Sequence, residues 1–281
     1  EKIFSSTKML IAVHCEDEGT IKENLAKFEA EYGEDIPVSA HPLIRSEEAC
    51  YISSSKAVAL AKKTGARLHV FHLSTAKEME LFTNKIPLED KKITAEVCIH
   101  HLYFSDKDYA KKGNLIKWNP AVKTEKDRDA LWEALLDDRI DVIATDHAPH
   151  TLEEKNQKYA KAPSGGPLVQ HAVVAMFEMY HQGKISIEKI IEKMAHNPAK
   201  LFKIEKRGFI KVGYYADLVI INTSLPWTVN KDNILYKCGW SPFEGTNFKS
   251  RITHTFVNGQ LVFSNAKVKE IHAGERMTFD R

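Results

Sequence analysis

The chain has few cysteines, no long apolar run and almost no net charge, and each shortage excludes something. Cys15, Cys50, Cys98 and Cys238 lie far apart and form no Cys-x-x-Cys pair. That argues against structural zinc fingers and a disulfide framework, and it fits a reducing, cytoplasmic home. No stretch approaches the roughly 18 apolar residues of a spanning helix, and the first residues lack the charged-then-apolar order of a signal segment. No membrane partner is expected. Forty Lys+Arg against 38 Asp+Glu leave a formal charge of +2, without the basic excess that nucleic-acid binding usually requires. Hydrophobic residues at 43% and charged residues at 28% mark a globular composition, not a disordered one.

Five short apolar runs read as strands: Lys8 to Val13 (KMLIAV), Arg67 to Phe71 (RLHVF), Ile93 to Ile99 (ITAEVCI), Leu115 to Trp118 (LIKW) and Ile140 to Thr145 (IDVIAT). Continuous β-branched runs, rather than alternation, suit strands buried on both faces. Helical stretches lie between them. Ser55 to Lys63 is periodic, with Gly65 as its stop. Thr75 to Glu78 has capping-box spacing and opens a helix through Leu81. Thr124 caps a helix whose Ala130, Leu131, Ala134 and Leu135 form one apolar stripe. This alternation predicts an α/β fold with a parallel sheet.

After about residue 206 the style changes. Ala216 to Asn222 reads as a strand, and His254 to Phe263 as a hairpin turning on Asn258-Gly259, the pair that a type I′ turn favours. Two parts are therefore expected. Residues 1–206 form the α/β part with the chemistry, and residues 207–281 form a mostly β-module with a C-terminal tail.

Three of the predicted strands end in a group that can bind metal: His14 after KMLIAV, His72 after RLHVF and Asp146 after IDVIAT. Catalytic residues of parallel β/α barrels sit at the C-terminal ends of strands. Three such ligands can converge on one divalent ion, and imidazole with carboxylate suits Zn²⁺. A single histidine near a strand end is more often a hydrogen-bonded structural residue, and His69, inside its strand, is read that way. On spacing alone the two readings of the triplet balance. The string ATDHAPH (144–150) shifts the balance, because it sets an acid and two histidines in one turn. A plain polar turn accounts for Pro149 but not for His147 and His150 beside Asp146. Glu16 and Asp17 are read as turn residues in preference to groups that support the ligands. His100 and His101 suit a mouth or a structural role equally, and Arg45 has no assigned role. Residues 151–167, polar and glycine-containing, are expected to form a mobile loop over the mouth.

The strings VHCED (13–17), HVFHLST (69–75), TAEVCIHHLYF (94–104), WNPAVK (118–123), ATDHAPH (144–150), HNPAKLF (196–202) and GYYADLVI (213–220) follow one another in an order that resembles the amidohydrolase superfamily, and within it the class I dihydroorotases. The resemblance runs from about residue 8 to 265. It implies a metal-dependent (β/α)₈ TIM-like barrel with a small appended β-sandwich, interconverting dihydroorotate and N-carbamoyl-L-aspartate in pyrimidine biosynthesis. It also implies Zn²⁺, two ions per intact site, and it suggests a homodimer. By motif, His14 and His72 match the histidines of the second metal site. Asp146 matches the residue that ligates the first metal and shuttles the proton. Asn119 and His150 match substrate contacts, and the turn with Ser164 and Gly165 matches a loop whose backbone touches substrate. Related cyclic amidohydrolases (hydantoinases, allantoinases) are the nearest alternative. A catalytically inactive homologue serving as a structural partner is a second.

The pattern also departs from the resemblance. Asn119-Pro120-Ala121-Val122-Lys123 stands where the family usually has Asn-Pro-Pro-Leu-Arg, and Ser164 where it often has Phe. The first-strand His-x-His pair, its substrate-binding Arg and the bridging carboxylate or modified lysine are not among these residues. Four or five strands cannot close an eight-stranded barrel. The expectation is that the chain holds only the barrel's C-terminal strands and is the C-terminal portion of a longer protein.

Overall fold

The computed structural model describes residues 1–280, which pack as two compact units. One comprises residues 1–170 with 236–242, and the other residues 171–235 with 243–280. This division cuts the chain elsewhere than the change in sequence style near residue 206.

The first unit is built on four parallel strands in the order β1 (Ile11–Val13), β2 (Leu68–Val70), β3 (Ile93–Cys98) and β4 (Val142–Ala144). Ile11 pairs with Leu68, Leu68 with Ile93, and Glu96 with Val142. The two inner strands are buried on both faces, as their unbroken apolar runs predict. β1 differs: it lies at the edge of this sheet and Ala12 is exposed. The fold is that of an α/β chain with strands in parallel register. Among the described residues the sheet is open, with edges at β1 and β4.

The helices begin and end where local chemistry dictates. Ser46 caps the helix Glu47–Thr64 by accepting from the Ala49 N–H, and Gly65 closes it in a left-handed conformation at φ 73°. Thr124 and Asp127 form a reciprocal capping box on Glu125–Leu136, whose Leu131, Ala134 and Leu135 turn inward. The segment after Thr75 is a 3₁₀ turn, Lys77–Leu81, not an α-helix. The Thr75 hydroxyl still donates to Glu78 at 2.9 Å.

Leu115 to Trp118 does not form a strand. Gly113–Ile116 is a 3₁₀ turn, and the Lys117 N–H bonds back to the Asn114 carbonyl. The run buries Ile116 and Trp118 without a sheet neighbour, because its backbone serves the loop of residues 159–166 instead: the Lys117 carbonyl accepts from the Gly165 N–H at 2.8 Å.

A buried ion pair joins β3 to the segment entering β4. The Lys91 ammonium donates to Asp141 Oδ1 at 2.7 Å and to the Asp138 carbonyl at 2.6 Å, and the Ala95 N–H donates to Asp141 Oδ2 at 3.0 Å. Both side chains are only 3% exposed, so each charge depends on the other.

The second unit carries an antiparallel sheet in the order β10 (Lys267–Val268), β9 (Gln260–Ser264), β8 (Arg251–Val257), β5 (Leu218–Asn222), with a separate pair of β6 (Trp227–Thr228) and β7 (Asn247–Phe248). The β8–β9 hairpin turns on Asn258 at φ 50° and Gly259 at φ 80°, the geometry that the Asn-Gly pair predicts. The helix Ala172–His181 buries Val174, Ala175, Met176, Phe177 and Met179. His171 precedes it, fully buried against the rings of Trp227 and Phe248. No helix of the described residues is long and apolar enough to cross a membrane.

Two outcomes follow from these buried charges. Asp141→Ala leaves the Lys91 ammonium uncompensated, and urea denaturation should record a loss of about 3–5 kcal/mol. Burial pushes His171 down to about 4, so the folded chain holds it neutral while the unfolded chain protonates it near the ordinary 6.5. Its contribution to stability is complete above pH 6.5 and is lost as pH falls through about 4. In His171→Phe the unfolding free energy between those pH values should vary with a shallower slope, read from urea melts at several pH values.

Candidate active site

Parallel strands release all their carboxyl ends on one edge, and the candidate residues leave from that edge. His14 follows β1 directly, His72 lies two residues past β2, His100 and His101 follow β3, and Asp146 lies two residues past β4. His72 and Asp146 adopt positive φ, 36° and 45°, at the points where their chains leave the sheet. Residues without glycine's freedom are held in that region at a cost, and such positions cluster at functional sites.

The His14 and His72 rings meet edge-on, with His14 Nδ1 3.1 Å from His72 Nε2. On its other side His14 Nε2 lies 3.0 Å from Glu16 Oε2, an oxygen that Arg45 also contacts. The buried carboxylate thus takes the Nε2–H of His14, and the Nδ1 lone pair faces His72. Burial disfavours the charged form of Glu16, but the His14 hydrogen bond and the Arg45 charge outweigh it and bring its pKa below the ordinary value. Burial first, and His14 second, push His72 down to about 4, so its ring stays neutral and able to donate a lone pair.

Asp146 lies within electrostatic reach of His14 and of Glu96 on β3. Burial, reinforced by the Glu96 charge, raises its pKa above the usual carboxylate value, with His14 opposing. Among the described residues no three His, Cys, Asp or Glu side chains gather closely enough to hold a metal unaided. The fold brings His14 and His72 into contact and sets Asp146 within electrostatic reach of His14. The donor chemistry suits a divalent ion: two imidazoles, one of them anchored by a carboxylate that fixes its tautomer, and the side chain of an aspartate.

The expected substrate-binding residues surround the next part of this edge. Asn119 Oδ1 is buried without a hydrogen-bond partner. His150 Nε2 donates to the Ser164 carbonyl at 3.1 Å. Gly165 sits at φ 119°, where a Cβ would come 2.5 Å from the Ala148 carbonyl oxygen, so only glycine fits. One ring nitrogen of His147 is taken by the backbone, which leaves the proton on Nε2. Its Nδ1 accepts the N–H groups of Leu168 and Val169 at 3.0 and 3.3 Å, a structural use. Residues 151–167 contain a capped helical turn, Leu152–Lys155, and are tied by backbone and lysine hydrogen bonds, in place of the mobile loop expected.

The remaining histidines divide. His69 is buried and bonded to Thr94 and Glu96 at 2.9 and 3.1 Å, the structural role predicted. His101 bonds the Pro120 carbonyl at 3.1 Å, and His100 stacks on Trp118 with ring centroids 4.3 Å apart. Asp17 is a turn residue as read, accepting from the Thr20 N–H at a helix start. Glu16 is not, because it supports His14, and Arg45 now has a place behind it. The signal that could have revealed Glu16 was its position two residues past a strand-end histidine. Glu96, missed altogether, was legible as an acid inside an otherwise apolar strand.

The profile of the amidohydrolase family matches residues 2–262. The chain belongs to that family. Within it, this amidohydrolase is 34% identical over 268 residues to the dihydroorotase of Pyrococcus furiosus, covering 95% of this chain and 58% of that protein. It is 40% identical over 209 residues to the dihydroorotase of Carboxydothermus hydrogenoformans, covering 73% and 48%. Among solved structures it resembles the L-hydantoinase of Arthrobacter aurescens, with a TM-score of 0.86, 27% identity, and 95% and 60% of the two chains covered. The chain spans about half the length of the curated relatives it matches. The likeness to the hydantoinase extends the fold to that of the barrel hydrolases, and the family is generally metal-dependent.

Because Glu16 accepts from Nε2, His14 should be the Nε2–H tautomer. Long-range ¹H–¹⁵N NMR of the metal-free chain should report it, and Glu16→Ala should shift the ring toward a mixture of both tautomers.

Proposed function

We propose that this amidohydrolase chain carries the metal- and substrate-binding part of a dihydroorotase, acting on a small cyclic amide with Zn²⁺ as its ion. The observation that supports this reading best is the contact of His14 with His72 at neighbouring strand ends, with Asp146 in electrostatic reach of His14. The relatives named dihydroorotase and the string ATDHAPH lend it further support. Four unpaired cysteines fit a cytoplasmic setting, and the homodimer rests on family resemblance alone.

His14 and His72 would hold one ion through ring nitrogens, and Asp146 would hold the other through a carboxylate oxygen. Two ions per site, as the resemblance implies, would need ligands besides these three. When bound, a divalent ion brings the pKa of a water toward about 7 and polarises the ring carbonyl. The chain's own residues then do the following. Asp146, its pKa raised by burial, accepts a proton from the water that adds to the carbonyl carbon. It returns that proton to the ring nitrogen as the carbon–nitrogen bond breaks, so one carboxylate acts as base and then as acid. The water oxygen ends on the new carboxylate, one water proton ends on the freed nitrogen, and the other is released to solvent as the new acid ionises. Asn119 Oδ1, buried and unpartnered, would accept an N–H of the substrate. His150 and the Ser164–Gly165 backbone would orient the ring and its carboxylate. Glu16 keeps the His14 ring in place throughout, braced by Arg45.

A hydantoin ring is the second reading, supported by the likeness to the Arthrobacter L-hydantoinase. Purified protein assayed on dihydroorotate, hydantoin and allantoin separates the two. Turnover should be fastest on dihydroorotate and should disappear with a chelator and return with Zn²⁺. Asp146→Asn should keep the fold by circular dichroism and lose about 10²- to 10⁴-fold in kcat. Hydantoin turnover exceeding that of dihydroorotate would decide for the second reading, and near-normal activity in Asp146→Asn would remove Asp146 from proton transfer.

A further inference from the structure

Besides Lys123, which donates to the Ser74 hydroxyl and the Ala121 carbonyl, two lysines of the first unit are buried with no carboxylate partner. Lys155 is 1% exposed, and its ammonium donates to the carbonyls of Pro163 and Gly165 at 2.8 Å and of Lys117 at 3.3 Å. Lys117 is likewise buried, donating to the carbonyls of Tyr159 and Ala162 at 2.7 and 2.6 Å, with its ammonium 4.2 Å from the centre of the Tyr159 ring. An ammonium has three N–H donors. Those of Lys155 match three acceptors, and those of Lys117 meet two acceptors and a π face.

Five carbonyl oxygens thus turn toward two cations, four of them from residues 159–165. Carbonyl rings of this sort are how proteins hold monovalent ions. Here side chains of the protein occupy the position. Carbonyl dipoles crowded onto one side of a loop repel each other unless a positive charge lies between them. Burial, followed by the charge of Lys117, pushes Lys155 down to about 7; burial, followed by Arg45, pushes Lys117 down to about 8. Holding ammonium there is costly, and a loop that merely needed filling would be served by a methionine.

What the two cations organise is the substrate end of the site. The loop they gather contains Ser164, whose carbonyl takes the His150 N–H, and Gly165, whose N–H bonds the Lys117 carbonyl at 2.8 Å. Asn119, with its unpartnered buried oxygen, lies two residues beyond Lys117.

We propose that Lys155 and Lys117 are internal cations of a carbonyl nest and act as positioning residues, fixing the backbone of Ser164 and Gly165 and the adjoining Asn119 where substrate is bound. The word substrate rests on the function proposed above; the nest does not.

Lys155→Met keeps an unbranched chain one atom shorter and removes the donors. The amides of residues 159–166 should then exchange with deuterium about tenfold faster or more. KM for dihydroorotate should rise about tenfold while kcat stays within about threefold. In Lys155→Ala, millimolar methylammonium should restore much of both properties. Tetramethylammonium, with equal charge and no N–H, should restore neither. Exchange and KM at wild-type values in Lys155→Met would overturn the proposal, as would equal rescue by both ions. Should both variants fail to fold, the wild-type chain still decides. A ¹⁵N-detected Lys155 Nζ signal protected from solvent exchange supports the nest, and a freely exchanging amine refutes it. If wild-type protein does not turn over dihydroorotate, the functional reading falls while the exchange and NMR results still decide on the nest.

Discussion

Parallel pairing is the constraint on which the rest depends. Four strands running one way bring every carboxyl end to the same edge, so residues about 60 to 130 positions apart in the sequence leave the sheet side by side. The His14–His72 contact at 3.1 Å is a direct product of the β1–β2 register, in which Val13 faces Val70. The same edge is where His72 and Asp146 adopt positive φ. A rigid, doubly buried β2–β3 pair below can hold such strained turns above it without relaxing.

Buried charge is handled in two ways within the same unit. Below the site, Lys91 meets a carboxylate, Asp141, whose other oxygen is taken by a backbone N–H of β3. Both charges are cancelled locally, and the pair simply ties two strands. Around the loop of residues 159–166, Lys117 and Lys155 meet backbone carbonyls and aromatic rings in place of a carboxylate. Full charge against partial dipoles leaves a net positive region, and it binds a loop that would otherwise have no regular hydrogen bonding. The first arrangement shapes the scaffold; the second shapes the mouth.

The residues that follow the strand ends show how roles depend on neighbours. Glu16 and Asp17 are adjacent acids, yet Asp17 caps a helix and Glu16 braces a histidine. What separates them is the direction of the chain at the end of β1 and the arrival of Arg45 from a segment 29 residues away. His147 and His150, three apart in one turn, diverge in the same way. The first is used by the backbone N–H groups of residues 168 and 169, while the second reaches the Ser164 carbonyl. Spacing alone could not assign either.

The sequence by itself determined the elements whose causes are local. The four parallel strands, the Thr124 capping box, the Gly65 stop and the Asn-Gly hairpin follow from apolar runs and backbone preferences over a few residues. It also marked His14, His72 and Asp146, because strand ends are legible once strands are. Only the tertiary structure decided that Leu115 to Trp118 gives up a strand to serve a loop. Only it revealed that Glu16 and Arg45 stand behind His14 and that two lysines bury their charge among carbonyls. Each of those depends on groups distant in sequence competing for one hydrogen bond or one charge, and such a contest has no signature along the chain.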